Sequence, residues 1–441
     1  MKKIALFFFA SVLLSSCLPN TVQVPQMPQN SLLPLLERKS GLIAYIGSDW
    51  NIYTSDQAGN HVTAYTQDAL IPENTGDPFR FYAYPTWSPD SESIGFVGLS
   101  GKGSETSAGV FIASVEDKAK KVFSSDSERP FYLYWSPDNT NLGFLSSSAD
   151  GNSMILQSVA KTQPERTIID TGTPYYWSWA PDGKTMIVHT GSAQSSAPEH
   201  LAFLQMGNAV SEDGLDTSPA TFQAPAWSPD GTHILMTQVN DQKKNEIIAT
   251  DGQGKLEKPI GTYDLNTAFA WSSQSDRVAY IEGKEQIAAG VLGALHVVDV
   301  NTGKDLFQDD DNVIAFFWSP DGEKIAYFIP KTESDSSSGT NGQNSSDTQA
   351  QQILLQLKVL DVKSGKSKDL FIFQPTDQFL AILPYFDQYH QSATIWSPDN
   401  YNMVLPVIST AGNPSLAIVP ANGQLEPRIM AQGYLAFWSW K

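Results

Sequence analysis

The chain has 441 residues and is 41% apolar, enough to bury a large core. Its formal charge of −19 repels phosphate backbones, which excludes nucleic acid as a partner. Cys17 is the only cysteine, so no internal disulfide can form and the fold must be held by its core.

In chain order, Met1-Lys2-Lys3 is basic and Ile4 to Leu14 is apolar but too short to span a bilayer. These are the n- and h-regions of a secretory signal peptide, expected to occupy residues 1–16. Without Lys2 and Lys3 the charge becomes −19 − 2 = −21. Leu14-Ser15-Ser16-Cys17 resembles the bacterial lipoprotein box, which implies acylation of Cys17 and anchoring to a membrane. Leu18 after the cysteine resembles outer-membrane sorting where the host has an outer membrane. The stretch to Ser40 carries Pro19, Pro25, Pro28 and Pro34 among polar residues without an apolar period. Residues 17–40 are therefore expected to be a lipid anchor and tether, and 41–441 the folded body.

A motif then recurs. Trp87-Ser88-Pro89-Asp90, Trp135-Ser136-Pro137-Asp138, Trp227-Ser228-Pro229-Asp230, Trp318-Ser319-Pro320-Asp321 and Trp396-Ser397-Pro398-Asp399 are close copies. Trp179 and Trp271 begin degenerate ones, and Trp438 begins one more. The tryptophans lie 42 to 48 residues apart, except for the 78 between Trp318 and Trp396. A period in the forties signals a repeat architecture. Ser-Pro-Asp-Gly is turn chemistry, with Pro presetting φ and Gly tolerating the positive φ that closes a hairpin. Short β-branched and aromatic runs follow each turn, such as Ile94-Gly95-Phe96-Val97 and Leu142-Gly143-Phe144-Leu145, and read as strands. Each tryptophan ends one strand and can remove about 150–250 Å² from water against the next unit.

Each middle repeat supplies four strands, and four-stranded antiparallel units repeated radially make a β-propeller. Gly41 onward supplies three strands with no tryptophan strand in front, and Gly433–Trp438 is a tryptophan strand with no hairpin behind it. The two deficits are complementary. The expectation is an all-β, eight-bladed propeller of four-stranded blades, closed by the N-terminal strands plus the C-terminal strand. The long gap holds two insertions. Residues 332–352 are polar and expected to be a loop. The aromatic stretch from Phe371 to His390 is expected to pack on the propeller face or to act as a plug or partner-contact element.

The repeat Trp-Ser-Pro-Asp-Gly, followed by Lys324-Ile325-Ala326-Tyr327 and Leu357-Lys358-Val359-Leu360-Asp361-Val362, resembles the WD-like repeats of TolB-type propellers. It also resembles the propellers attached to prolyl-oligopeptidase-type enzymes. The resemblance covers about residues 41–441 and implies a cell-envelope protein that binds other molecules.

Motifs for chemistry are sparse. The six histidines form no metal-helix motif, and no nucleophile elbow is present. The aspartates of the repeat are accounted for by turn formation, not by a carboxylate ring. Asp309-Asp310-Asp311-Asn312 reads as a solvated loop tip, since one acidic run rarely supplies the six or more oxygens that calcium takes. No cofactor, metal or catalytic residue is assigned. Tyrosines precede the repeat tryptophans in three consecutive units: Tyr82 and Tyr84, Tyr132 and Tyr134, Tyr175 and Tyr176. They are expected to form an arc at the channel mouth that binds an envelope protein, peptide or glycan. The reading is a non-enzymatic binding scaffold. The alternatives are a propeller enzyme, lyase or glycosidase in type, with its site in the channel, and a glycan-binding surface protein.

Overall fold

The computed structural model describes residues 40–114, 117–162, 165–191, 200–207, 209–215, 219–285, 287, 289–331 and 352–441. The signal peptide, Cys17, all of the tether except Ser40, and the polar insertion at 332–351 lie outside the described residues.

The chain folds into a ring of antiparallel sheets, each running along the sequence from its tryptophan strand outward. Six have four strands each. They begin at Phe79–Trp87, Arg129–Trp135, Tyr175–Trp179, Ala226–Trp227, Thr267–Trp271 and Ala315–Trp318. The remaining sheet has six strands in the order Asn402–Ile408, Pro414–Pro420, Arg428–Trp438, Ile43–Gly47, Ile52–Ser55 and Thr63–Ala64. The architecture is a β-propeller of seven sheets, which corrects the expected eight four-stranded blades.

The correction has a local cause. Arg428–Trp438 is one continuous strand of 11 residues. Its first half pairs with Pro414–Pro420, as in Leu416 to Ala431, and its second half with Ile43–Gly47, as in Ala44 to Phe437 and Ile43 to Trp438. The segment that would lead an eighth sheet is held only by isolated bridges, Thr394 to Trp438 and Trp396 to Met403. Two repeat tryptophans, Trp396 and Trp438, thus map to one sheet.

The tryptophans stitch the ring. The indole N–H groups of Trp87, Trp135, Trp179, Trp271, Trp318 and Trp396 donate to the carbonyls of Phe437, Thr86, Tyr134, Ala226, Ala270 and Phe317 at 3.0 to 3.4 Å. Each acceptor is the residue just before the preceding unit's tryptophan. The core lies between neighbouring sheets. Val97, Val110 and Phe123 of one sheet pack on Leu133, Trp135 and Phe144 of the next. Gly143 shows how closely the sheets approach, because a Cβ there would sit 2.5 Å from the Trp177 ring. The exception is Trp227, which is only half-buried and whose indole nitrogen has no partner.

The turns close as the residue types dictate. In Ser88, Ser136, Ser228, Ser319 and Ser397 the hydroxyl donates to the aspartate two residues on, at 2.5 to 2.7 Å. The same oxygens accept the N–H five residues on at 2.9 Å. The repeated carboxylates are thereby used inside their own turns.

Candidate functional site in the central channel

Between the last strand of one sheet, Lys366–Phe373, and the segment leading to Trp396 the chain crosses the ring centre. Thr376 caps the helix Asp377–Ile382 by accepting the Phe379 N–H, and donates to the Tyr434 carbonyl at 2.6 Å. Pro384 sits in a 3₁₀ turn, and a second helix, Phe386–Ser392, follows. The stretch expected to pack on the propeller face or to act as a plug or partner-contact element thus ends the strand Lys366–Phe373 and continues as two short helices, with Phe379, Ile382, Leu383 and Phe386 buried.

The second helix plugs the channel. The Thr86 hydroxyl donates to the Ser392 carbonyl at 2.7 Å and the Tyr132 hydroxyl to the Gln388 carbonyl at 2.8 Å. The Gln388 amide pairs with the backbone of Trp177 as a strand would, donating to its carbonyl at 2.6 Å and accepting its N–H at 3.2 Å. Gln391 donates to the Pro225 carbonyl at 3.3 Å, and Trp318 N–H donates to His390 Nε2 at 3.2 Å. Five units of the ring are tied to one turn-and-a-half of helix.

On the side of the Trp-Ser-Pro-Asp turns the plug leaves a cavity of about 300 Å³. Its walls include Trp179, Trp227, Trp271, Trp318 and Trp440, its rim includes the exposed Pro181 and Pro229, and Asp387, His390 and Gln391 line it from the plug. We call it the funnel. Asp387 is 5% exposed and accepts the Gln388 N–H at 2.9 Å. Burial pushes its carboxyl up to about 7, against the pull of the Gln388 and Ala224 N–H groups. Burial pushes the His390 imidazole the other way, down to about 4. His390 is enclosed by protein yet keeps some accessible surface because it faces the funnel. At pH values between these two, the plug carries a neutral acid and a neutral base.

Of the tyrosines expected to form a binding arc, Tyr84, Tyr132, Tyr134 and Tyr176 lie near the plug or the funnel, whereas Tyr82 and Tyr175 bond elsewhere. Tyr82, Tyr132 and Tyr175 are buried, with hydroxyls donating to Asp68, the Gln388 carbonyl and Asp170 at 2.7 to 2.8 Å. Tyr84, Tyr134 and Tyr176 are half-buried. Tyr176 stacks on Phe222 at 4.8 Å, and Tyr134 lines the funnel. The first three cannot offer their hydroxyls to a partner without giving up these bonds. Asp309 is not in a loop tip but in the strand Lys304–Val313. Its carboxylate accepts from Tyr327 at 2.6 Å and Lys358 at 2.8 Å, so an ammonium sits where a cation was considered.

The stretch stands out in the sequence by its aromatic residues, but Asp387, Gln388 and Gln391 do not. A signal was there: Thr376-Asp377 is a helix start, and Phe379, Ile382, Leu383 and Phe386 follow at helical spacing.

No family model matches the chain, and no curated protein matches it. Solved structures similar to it include TolB from Acinetobacter baumannii, at 13% identity and a TM-score of 0.37, covering 76% of this chain and 79% of that one. A TolB described as putative, from Agrobacterium tumefaciens, is 14% identical with a TM-score of 0.34, over 76% and 90%. An oligogalacturonate lyase in complex with manganese is 12% identical with a TM-score of 0.48, over 87% and 97%. By its own geometry the chain is a β-propeller, and TolB proteins are among the structures it is similar to.

Proposed function

We propose that this chain is a non-enzymatic binding propeller of a bacterial cell envelope, held at a membrane by lipid on Cys17, with its ligand seated in the funnel. The observation that carries the reading is the plug. It closes the channel from within and leaves a small pocket with aromatic walls, in the size range of ligand sites. Asp387 is the one carboxylate among the described lining residues, and His390 Nε2 is engaged by the Trp318 N–H. Acid–base chemistry needs convergent groups free to exchange protons, and glycoside hydrolysis usually needs two carboxylates. The partner would be an envelope protein, a peptide or a glycan that presents a small group to the funnel.

A second reading has one observation in its favour. A carboxyl titrating near 7 is tuned for general acid–base work, so a lyase would use Asp387.

The test is a photo-crosslinking amino acid placed at Trp440 on the funnel, or at Lys120 on an outer strand, in the native envelope. Mass spectrometry then reads the adducts. A discrete adduct is expected from position 440 only, in the membrane fraction, and Cys17→Ser should move the protein out of that fraction. Equal labelling at both positions, or none at 440, would sink the funnel as the binding site. Turnover of an envelope polysaccharide that is lost in Asp387→Asn would favour the enzyme.

A further inference from the structure

We infer that the funnel is a site for a small organic cation, an arylalkyl ammonium, with the ammonium against Asp387 and the apolar body against the aromatic walls. This deepens the binding reading and rests on it.

Four features of the site converge on that chemistry. First, the site holds buried acceptors for an ammonium, alongside one unpaired donor, the Trp227 indole N–H. Besides the Asp387 carboxyl, the Gln391 side-chain carbonyl is buried without a hydrogen-bond partner. An ammonium is a donor only, with three N–H groups and no acceptor. Second, the walls are indoles and phenyl rings, including Trp227, Phe269, Phe317 and Trp440. The negative faces of such rings attract a desolvated cation. Third, the described lining residues include no lysine or arginine. No cation among these described residues neutralises Asp387 once it ionises, so a bound cation would supply the counter-charge. Fourth, about 300 Å³ is at the small end of ligand sites, which suits a compound with one ring and a short chain. The chain's formal charge of −19 also concentrates cations near it.

Binding is then coupled to a proton. A cation beside Asp387 favours its ionised form, so the carboxyl releases its proton as the ligand seats. The other titratable groups around it stay silent. Tyr132 and Tyr176 face it from neighbouring strands, Tyr134 shares the funnel, and Tyr385 precedes it. Burial pushes all four phenols up, so they remain neutral. The strands Thr267–Trp271 and Ala315–Trp318, also packed on the plug, carry no ionisable side chain. His390, one turn along the helix, is already neutral.

The experiment is titration calorimetry with 2-phenylethylammonium and its uncharged isostere 2-phenylethanol, in buffers of different ionisation enthalpy. The ammonium should bind at least about tenfold more tightly than the alcohol. It should release about one proton per site at pH 6 and nearly none at pH 8.5. Asp387→Asn should erase the difference between the two ligands and the proton release. Proton release is read on the unmodified protein, so the proposal does not depend on the variant folding. Equal affinity for both ligands, binding without proton release at pH 6, or no binding of the ammonium would each overturn it. If crosslinks still form at position 440 in any of those cases, the funnel remains a binding site and only the cation is wrong.

Discussion

Asn139 occupies the position where a Trp-Ser-Pro-Asp turn demands a positive φ, and glycine is not there. At that place Ser91, Asn139, Ser275 and Asn400 have φ of 59° to 65°, like Gly183, Gly231 and Gly322 at 68° to 71°. A non-glycine residue in this region costs roughly 1–2 kcal/mol, less for Asn. The four side chains compensate in one way. The N–H of Asp90 donates to Asn139 at 2.8 Å, that of Asp230 to Ser275 at 3.1 Å, that of Asp321 to Asn400 at 2.9 Å, and that of Lys441 to Ser91 at 3.0 Å. The strained residue thus ties its turn to the preceding unit or to the chain end. Asn139→Ala should lose the tie and keep the strain, destabilising by about 1–2 kcal/mol. Asn139→Gly should lose both and stay within about 0.5 kcal/mol of the parent. Urea denaturation checks the order, and glycine proving the worse of the two would refute the account. The turn itself was legible, because Pro, Asp and Gly fix it locally. The tie was not, because its acceptor lies 49 residues from its donor.

At the scale of elements, the plug helix buries an acid and a base one turn apart, and their effects on stability have opposite signs. Asp387 is raised from 3.8 to about 7, so the native chain holds a proton that the unfolded chain has lost, and stability falls as pH rises through that window. His390 is lowered from 6.5 to about 4, so the native chain lacks a proton that the unfolded chain holds, and stability falls as pH drops through that window. Between about pH 4 and 6.5 both states carry one proton on the pair, and the slopes cancel. Each single substitution should remove one of the two slopes and leave the other. Relative to the parent, Asp387→Asn should gain stability from about pH 4 to 7, by at most roughly 4 kcal/mol, and His390→Gln should lose it from about pH 4 to 6.5, by at most roughly 3 kcal/mol. The quantity to measure is the stability difference from the parent at each pH, in which the other groups cancel. Parallel profiles for the two variants would show that the pair is not buried as described. The helical period of this stretch was legible, but its destination was not. A run of aromatic residues serves a face, a plug or a partner equally well until the ring around it exists.

For the whole molecule, tryptophan strands and hydrogen-bonded sheets are different counts. The repeat marks eight indoles, but a sheet is defined by strand pairing, and nothing between Arg428 and Trp438 breaks the strand. Gly433 lets it pass from one partner to the next, where a Cβ would meet the Ile46 carbonyl at 2.5 Å. The two ends are consequently woven into one sheet. Leu42 N–H donates to the Ser439 hydroxyl at 2.9 Å, Ser439 N–H to the Leu42 carbonyl at 2.8 Å, and the Trp438 indole to the Ser40 carbonyl at 2.7 Å. If the seam holds the ring, order along the chain matters less than closure. Joining Lys441 to Ser40 through a short Gly-Ser linker, and opening the chain at Gly151, should leave a folded protein. Gly151 suits the cut, since it lies in an exposed hairpin turn with nothing within 4 Å of where a Cβ would be. Removing residues 433–441 should instead abolish cooperative unfolding, because it strips Ile43–Gly47 of its partner and exposes the indole-lined core of the two neighbouring units. Circular dichroism melts decide between them. A truncated chain that still melts cooperatively, beside a permuted chain that does not, would place the ring's stability somewhere other than its seam.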